Sequence, residues 1–179
     1  MKRIVCVLLT LIMLLGMVPM GASAASHSTS EAAITVLKQM TKFEDECYHF
    51  TGSEFRIGYG TVCEEEHSFG TNGKPVAGQE KHSITEAKAD TALREALKEL
   101  DKKVNSFASS NGKALTQSQH DALVVFSYNA GADWMNGNGV VKTAILNNAD
   151  GNELLNAMNL WTNNADINRR KVEVNMYMN

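Results

Sequence analysis

Apolar residues recur at helical spacing, three and four positions apart, over most of this chain. The repeats predict helices, in chain order, over 28–43, 83–107, 116–130, 140–146, 153–161 and 168–178. Three of these starts carry a hydroxyl residue followed three positions later by Glu or Gln, at Ser28/Glu31, Ser83/Glu86 and Thr116/Gln119. The central helix is apolar on nearly every face, so we expect it to be buried and to end at Gly131.

One segment breaks the helical pattern. The stretch YHFTGSEFRIGYGTV, residues 48–62, is rich in aromatic and β-branched residues and is interrupted by Thr51-Gly52-Ser53. This pattern predicts a β-hairpin, with Gly58 and Gly60 marking a bent or closely packed strand. Residues 64–82 hold several glycines and Pro75, which indicates a long exposed loop.

The first 25 residues have the layout of a secretory signal peptide. Lys2 and Arg3 precede a short apolar run, and Ala22-Ser23-Ala24 offers a cleavage site of small residues. An uncleaved membrane anchor is the alternative, but the run is short for a span and carries Gly16 and Pro19 near its end. We therefore expect residues 1–25 to be removed and residues 26–179 to work outside the cytoplasm, as a secreted protein.

Composition limits what the remaining chain does. It has 15 basic and 20 acidic residues, a formal charge of −5, so nothing favours nucleic acid binding. Its length suits one domain with a sizeable core. In an oxidising compartment Cys47 and Cys63 are expected to pair, with two separate thiols as the alternative. His49 and His67 lie near these cysteines, but the spacing matches no zinc site.

Several segments resemble phage-type lysozymes, the muramidases of glycoside hydrolase family 24. LTQSQHDALVVFSYNAG resembles the family's central helix LTQNQFDALVSFAFNVG, and FRIGYGT resembles its TIGYGT strand. SITEAKADTALREAL and NRRKVEVNMYM are similar to ITEAQAEALLREDL and RRKAEANLYL, in the same order. The resemblance implies an α+β, lysozyme-like domain over 26–179, with a hairpin lobe at about 44–82 and a helical lobe at about 83–179.

The resemblance also implies a reaction. In this family a glutamate at the end of the first helix protonates the leaving oxygen, and Phe43-Glu44 matches that position. The expected reaction is hydrolysis of the β-1,4 bond between N-acetylmuramic acid and N-acetylglucosamine, with Glu44 as general acid, partly buried so that it keeps its proton. Neither cofactor nor metal is needed. The expected partner is the peptidoglycan glycan strand, with no membrane contact after signal cleavage, and the protein is expected to be a monomer.

The second catalytic group is where the chain departs from the family. The family places an aspartate in the first hairpin strand and a threonine or serine two residues before the first glycine of GYG. This chain has Arg56 at the latter position and no aspartate between Glu46 and Lys88. Glu54 is the candidate second catalytic residue, with a turn residue facing water as the simpler alternative. Glu46 is a substitute acid if the alignment slips by two positions.

Aromatic side chains are candidates for contact with sugar rings. Tyr59, beside the hairpin, is a candidate wall of the cleft, and Trp134, in a turn rich in glycine and asparagine, is a candidate for stacking. Trp161 lies in an apolar helix and is expected in the core. Arg169-Arg170 and Glu173 are expected to form an ion-pair network within the last helix rather than to touch substrate.

Two other functions stay open at this stage. The altered hairpin is also consistent with a lysozyme-like protein that binds wall glycan without cleaving it. Chitinase-like action on polymers of N-acetylglucosamine is a third alternative.

Overall fold

A computed structural model describes residues 26–51, 54–63 and 83–179, so the predicted signal peptide and the 64–82 segment lie outside the described residues. The elements are α1 (Glu31–Thr41), β1 (Glu44–Thr51), β2 (Glu54–Gly58), β3 (Thr61–Val62), α2 (Glu86–Ser110), α3 (Gln117–Ala130), α4 (Val140–Leu146), α5 (Gly151–Trp161) and α6 (Ile167–Met178), with a short 3₁₀ helix at Asp133–Met135. The strands form an antiparallel sheet in the order β1-β2-β3. The predicted hairpin is therefore present, with a third short strand.

Two helices begin two residues later than the capping pattern predicted. Ser30 caps α1 and Thr85 caps α2, rather than Ser28 and Ser83. The reason is tertiary, because contacts outside the helix keep the preceding residues extended. Glu46 forms an isolated β-bridge with Ser83, and the backbone N–H of Ile84 donates to the carbonyl of Asp45. The predicted capping box of α3, Thr116 with Gln119, is confirmed.

The main core is built around α3. Five consecutive residues, Ala122 to Phe126, are fully buried. A helix can be buried on every face only if neighbours cover it on every side. The neighbours come from α1, α2, the 3₁₀ helix and the C-terminal helices, with Leu37, Leu93, Trp134 and Met158 among the most buried side chains.

The hairpin lobe has its own, much smaller core. Its buried side chains are Cys47, Ile57 and Cys63, with Phe55 and Ile84 partly buried against them. A disulfide joins Cys47 of β1 to Cys63 at the end of β3, so the expected pairing is present. Among the described residues of this lobe, two of the three buried core side chains are therefore joined by a covalent bond.

The turn between β2 and β3 joins the two lobes. Tyr59 is buried in the main core, and the Tyr128 hydroxyl of α3 donates to its backbone carbonyl at 2.8 Å. Gly60 follows with φ +85°, and a Cβ atom there would lie 3.2 Å from Cγ2 of Thr41. Both the positive φ and the close approach favour glycine at this position.

The segment before α1, residues 26–30, is fastened to the helices by side chains. Asp101 of α2 accepts hydrogen bonds from the backbone N–H and hydroxyl of Thr29, at 3.0 and 2.6 Å. Asp121 of α3 accepts the same pair of bonds from Ser30, also at 3.0 and 2.6 Å. We refer to residues 26–30 as the N-terminal strap.

Candidate active site on the hairpin

Glu44 is the first residue of β1, and its Cα is paired with that of Gly58 on β2. Lys42 ends the preceding helix with φ +62°, which turns the chain sharply into the strand. The Glu44 side chain is exposed and, within the described residues, makes no hydrogen bond or ion pair. The partial burial expected for a general acid is therefore not present in the structure without substrate.

One face of the hairpin looks toward α3 and α6. Tyr48 lies opposite Arg56 in the β1–β2 register. Burial raises the pKa of Tyr48, while the nearby Arg56 cation lowers it and the Glu44 carboxylate raises it. Burial also raises the pKa of Tyr128 to about 12, against the cations of Arg56 and Arg169. Tyr48 thus lies within electrostatic range of Glu44 and Arg56, and Tyr128 within range of Tyr48, Arg56 and Arg169.

Arg56 is the most constrained side chain on this face. Its Nε and Nη2 donate to Oε1 of Glu54, at 2.8 and 2.6 Å, and its Nη1 donates to the carbonyl of Gly60 at 3.1 Å. The guanidinium carbon also lies 4.1 Å from the centre of the Phe50 ring. The candidate Glu54 is therefore not a free turn residue, because its carboxylate is held by Arg56.

The two aromatic residues predicted to contact sugar are placed differently. Trp134 is 0% exposed, with its indole N–H donating to the Ser127 hydroxyl at 2.9 Å, so the predicted stacking on a sugar ring is wrong. Its ring packs against Phe107 and Phe126, which explains the burial despite the surrounding polar turn.

Tyr59 is only 4% exposed, so its predicted role as an open cleft wall is also wrong. Its hydroxyl donates to Glu86 at 2.6 Å, and this bond together with burial raises the pKa of Tyr59 to about 12. The residue instead anchors the hairpin in the core.

Beside the candidate site, α6 carries the predicted ion-pair network. Arg170 donates to Glu173 at 2.8 Å and to Asn129 of α3 at 2.8 Å, and both ionic side chains are fully buried. Burial raises the pKa of Glu173 to about 7, although both arginines oppose the shift. Arg169 reaches outward from this network and donates to the Thr41 hydroxyl at 3.4 Å.

Sequence reasoning missed Tyr48 and Tyr128 as members of this site. Each stands in a segment whose other residues indicate packing, so no local signal separates them from core aromatics. Among the described residues, no three His, Cys, Asp or Glu side chains converge as metal ligands would. None of the helices in the described ranges has the length and apolar composition needed to cross a bilayer.

Comparison with known proteins decides the family. A family model described as phage lysozyme matches residues 22–173, most of the chain. The chain belongs to the phage lysozyme family. Membership identifies it as a glycosidase of the muramidase class, with peptidoglycan as its substrate class.

Solved structures confirm the α+β, lysozyme-like fold. The chain is similar to the muramidase domain of SpmX from Asticaccaulis excentricus, with a TM-score of 0.65 and 24% identity over 86% of this chain and 99% of that one. It is similar to an endolysin from Escherichia coli O157:H7 phage FAHEc1, with a TM-score of 0.58 and 24% identity over 87% and 96% of the two chains. A P22 lysozyme mutant gives a TM-score of 0.60 and 20% identity over 86% and 99%. No curated protein sequence matches the chain.

Proposed function

We propose that this protein is a secreted peptidoglycan hydrolase that cleaves the β-1,4 bond between N-acetylmuramic acid and N-acetylglucosamine. Glu44 is the proposed general acid. The observation that carries the proposal is the position of Glu44 at the junction of α1 and β1, opposite Gly58, within a family fold. Tyr48, which interacts electrostatically with both Glu44 and Arg56, lies on the hairpin face turned toward the helical lobe.

Substrate supplies the burial that Glu44 lacks. A glycan strand laid on this hairpin face would displace water from the exposed carboxyl group. Loss of water favours the protonated form of an acid, which is the form needed to donate to the leaving oxygen. A bound glycan would thus give Glu44 the water-poor surroundings in which a carboxyl group donates to the leaving oxygen.

A second candidate function is binding of wall glycan without cleavage. The observation that favours it is Arg56, which stands where the family carries a water-positioning threonine or serine. A cation at that position opposes the positive charge that develops on the sugar in the transition state. This alternative differs from the first in one measurable result, the appearance of new sugar ends.

The test uses protein recovered from the medium of cells that express the full chain. Incubated with purified peptidoglycan, it should release new reducing ends, and Glu44→Gln should lower the rate by about 10²–10⁴-fold because general acid catalysis is lost. Asp45→Asn, a carboxyl-to-amide change one residue away, is the matched control and should keep the wild-type rate.

Other results would change the assignment. Retention on insoluble peptidoglycan with no new reducing ends would replace the hydrolase with the binding protein. If Glu46→Gln abolished cleavage while Glu44→Gln did not, Glu46 would be the acid. Recovery of a product that still carries residues 1–25 would contradict cleavage of the signal peptide.

A further inference from the structure

The pair formed by Arg56 and Glu54 has no counterpart in the family pattern, where a threonine or serine stands at position 56. Both Arg56 donors to Glu54 reach the same oxygen, Oε1. Within the described residues the other oxygen, Oε2, makes no hydrogen bond. The Glu54 side chain is 37% exposed and that of Arg56 is 20% exposed, so the pair faces solvent on one side.

We propose that Arg56 is a positioning residue that holds the Glu54 carboxylate as the second carboxylate of the active site. The proposal rests on the function proposed above, because it assigns Glu54 a role in the same reaction. Glu54 would direct the water or stabilise the developing cation, and Oε2 is the oxygen left to do so.

The geometry of β2 shows why a positioning residue is needed. Glu44 lies opposite Gly58, four residues along the strand from Glu54. At about 3.3 Å per residue, the two backbone positions are roughly 13 Å apart along the strand. Inverting glycosidases hold their carboxyl groups about 6.5–9.5 Å apart. Arg56 lies between them, and its guanidinium bonds both Oε1 of Glu54 and the carbonyl of Gly60. The Glu54 carboxylate is therefore held toward the end of β2 that pairs with Glu44.

The Arg56 guanidinium is contacted on three sides, which gives the Arg56–Glu54 pair the rigidity that positioning requires. The Gly60 carbonyl accepts from Nη1, the Phe50 ring stacks on the guanidinium, and Glu54 accepts from the remaining edge. A cation at position 56 would by itself oppose the positive charge that develops on the sugar. The Glu54 carboxylate neutralises this charge, so the pair is compatible with cleavage.

The experiment compares Arg56→Thr, which restores a family residue, with Glu54→Gln on peptidoglycan. Glu54→Gln should lower kcat by about 10²-fold or more, and Arg56→Thr by roughly 10–10²-fold with little change in KM, because the carboxylate remains but is misplaced. The double variant should be no slower than Glu54→Gln alone.

Matched controls keep the result interpretable. Arg94→Thr removes a similar guanidinium, paired with Glu31 at 2.5 and 2.8 Å outside the hairpin, and should leave kcat unchanged. If Arg56→Thr lowers stability, Arg56→Lys, which keeps the charge and a single donor, should recover part of kcat.

The opposite outcomes are distinct. An Arg56→Thr protein as fast as wild type, or faster, would overturn the positioning role while leaving the hydrolase in place. A Glu54→Gln protein with unchanged kcat would do the same. A wild-type protein that releases no reducing ends would overturn the proposed hydrolase and this inference together.

Discussion

The two lobes of this protein are stabilised in different ways. In the helical lobe, several helices pack around the fully buried middle of α3, so its stability is distributed over many contacts. In the described part of the hairpin lobe, the separate core has three buried side chains, and two of them are the cysteines of one disulfide. The candidate catalytic residues, Glu44 and Glu54, both lie on the hairpin and not in the helical lobe.

Because the two lobes differ, the resemblance to phage-type lysozymes supports the fold more strongly than it supports the activity. The segment 115–131 matches its family pattern closely, and the structure places it at the centre of the molecule. The match of this segment therefore supports the fold of the helical lobe. The reaction depends on residues 44–60, where the family pattern is altered, so activity has to be established on the hairpin itself.

The largest expected effect comes from the core of the helical lobe. Trp134→Ala should lower the free energy of unfolding by about 3–5 kcal/mol, because a fully buried indole leaves a cavity. Urea denaturation followed by circular dichroism measures the loss. Trp161→Ala, at a half-buried site, is the control and should cost less. Equal losses at both sites would contradict the central role of α3 and its neighbours.

Breaking the disulfide tests the hairpin lobe. Cys47→Ser with Cys63→Ser should cost about 2–4 kcal/mol, since the bond closes a loop between residues 16 apart. We expect faster hydrogen exchange at β1–β3 and loss of peptidoglycan cleavage, while α3 amides keep their protection. Full activity in the double variant, or equal loss of protection in both lobes, would show that the disulfide does not specifically stabilise the hairpin lobe.

A smaller effect is expected where the N-terminal strap meets α3. Although burial alone would raise it, the adjacent His120 ring and hydrogen bonds from Ser30 and Gln117 hold the pKa of Asp121 below its ordinary value of 3.8. The resulting stability is fully present above that value and is lost as pH falls through the lower folded pKa. Asp121→Asn should cost about 1–2 kcal/mol near neutral pH and flatten the acid limb of a melting-temperature profile. Asp133→Asn, at an exposed site, should leave that limb unchanged.

The smallest effect is expected on the outer surface of α2. Lys102 pairs with Glu99 at 2.6 Å, and both side chains are largely exposed. Surface pairs of this kind contribute little because water and salt screen them. Lys102→Ala should therefore leave the melting temperature unchanged within error. A clear drop would mean that the surface of the helical lobe carries stability now assigned to its core.

Much of the fold follows from sequence because helical periodicity and capping are local properties. The α3 capping box and the order of helices and hairpin are confirmed for that reason. Ser28 and Ser83 were wrong as caps, since the strap and the Glu46–Ser83 bridge extend the chain past them. Such contacts join residues far apart in the chain and leave no trace in a local pattern.

The candidate site was less predictable. Trp134 stands in a polar turn, yet its ring packs inward against Phe107 and Phe126, and the Ser127 hydroxyl of α3 accepts from its indole N–H. The link between Arg56 and Glu54 depends on strand geometry, which places alternate residues on one face. Sequence alone named Glu54 as the candidate second catalytic residue and Arg56 as a departure from the family pattern, but it did not predict the contact between them.

The N-terminal strap has a consequence for the order in which the chain assembles. Residues 29 and 30 are made early, but their partners Asp101 and Asp121 lie 72 and 91 residues further on. Until those helices exist, Ser30 cannot be held in place to cap α1. Among the described helices α1 is made first, but the strap that precedes it gains its contacts with Asp101 and Asp121 only after α2 and α3 are made. Contacts between residues so far apart in the chain slow folding. The secretion proposed above requires the chain to cross a membrane before it folds, and a slow closure of this kind favours that order.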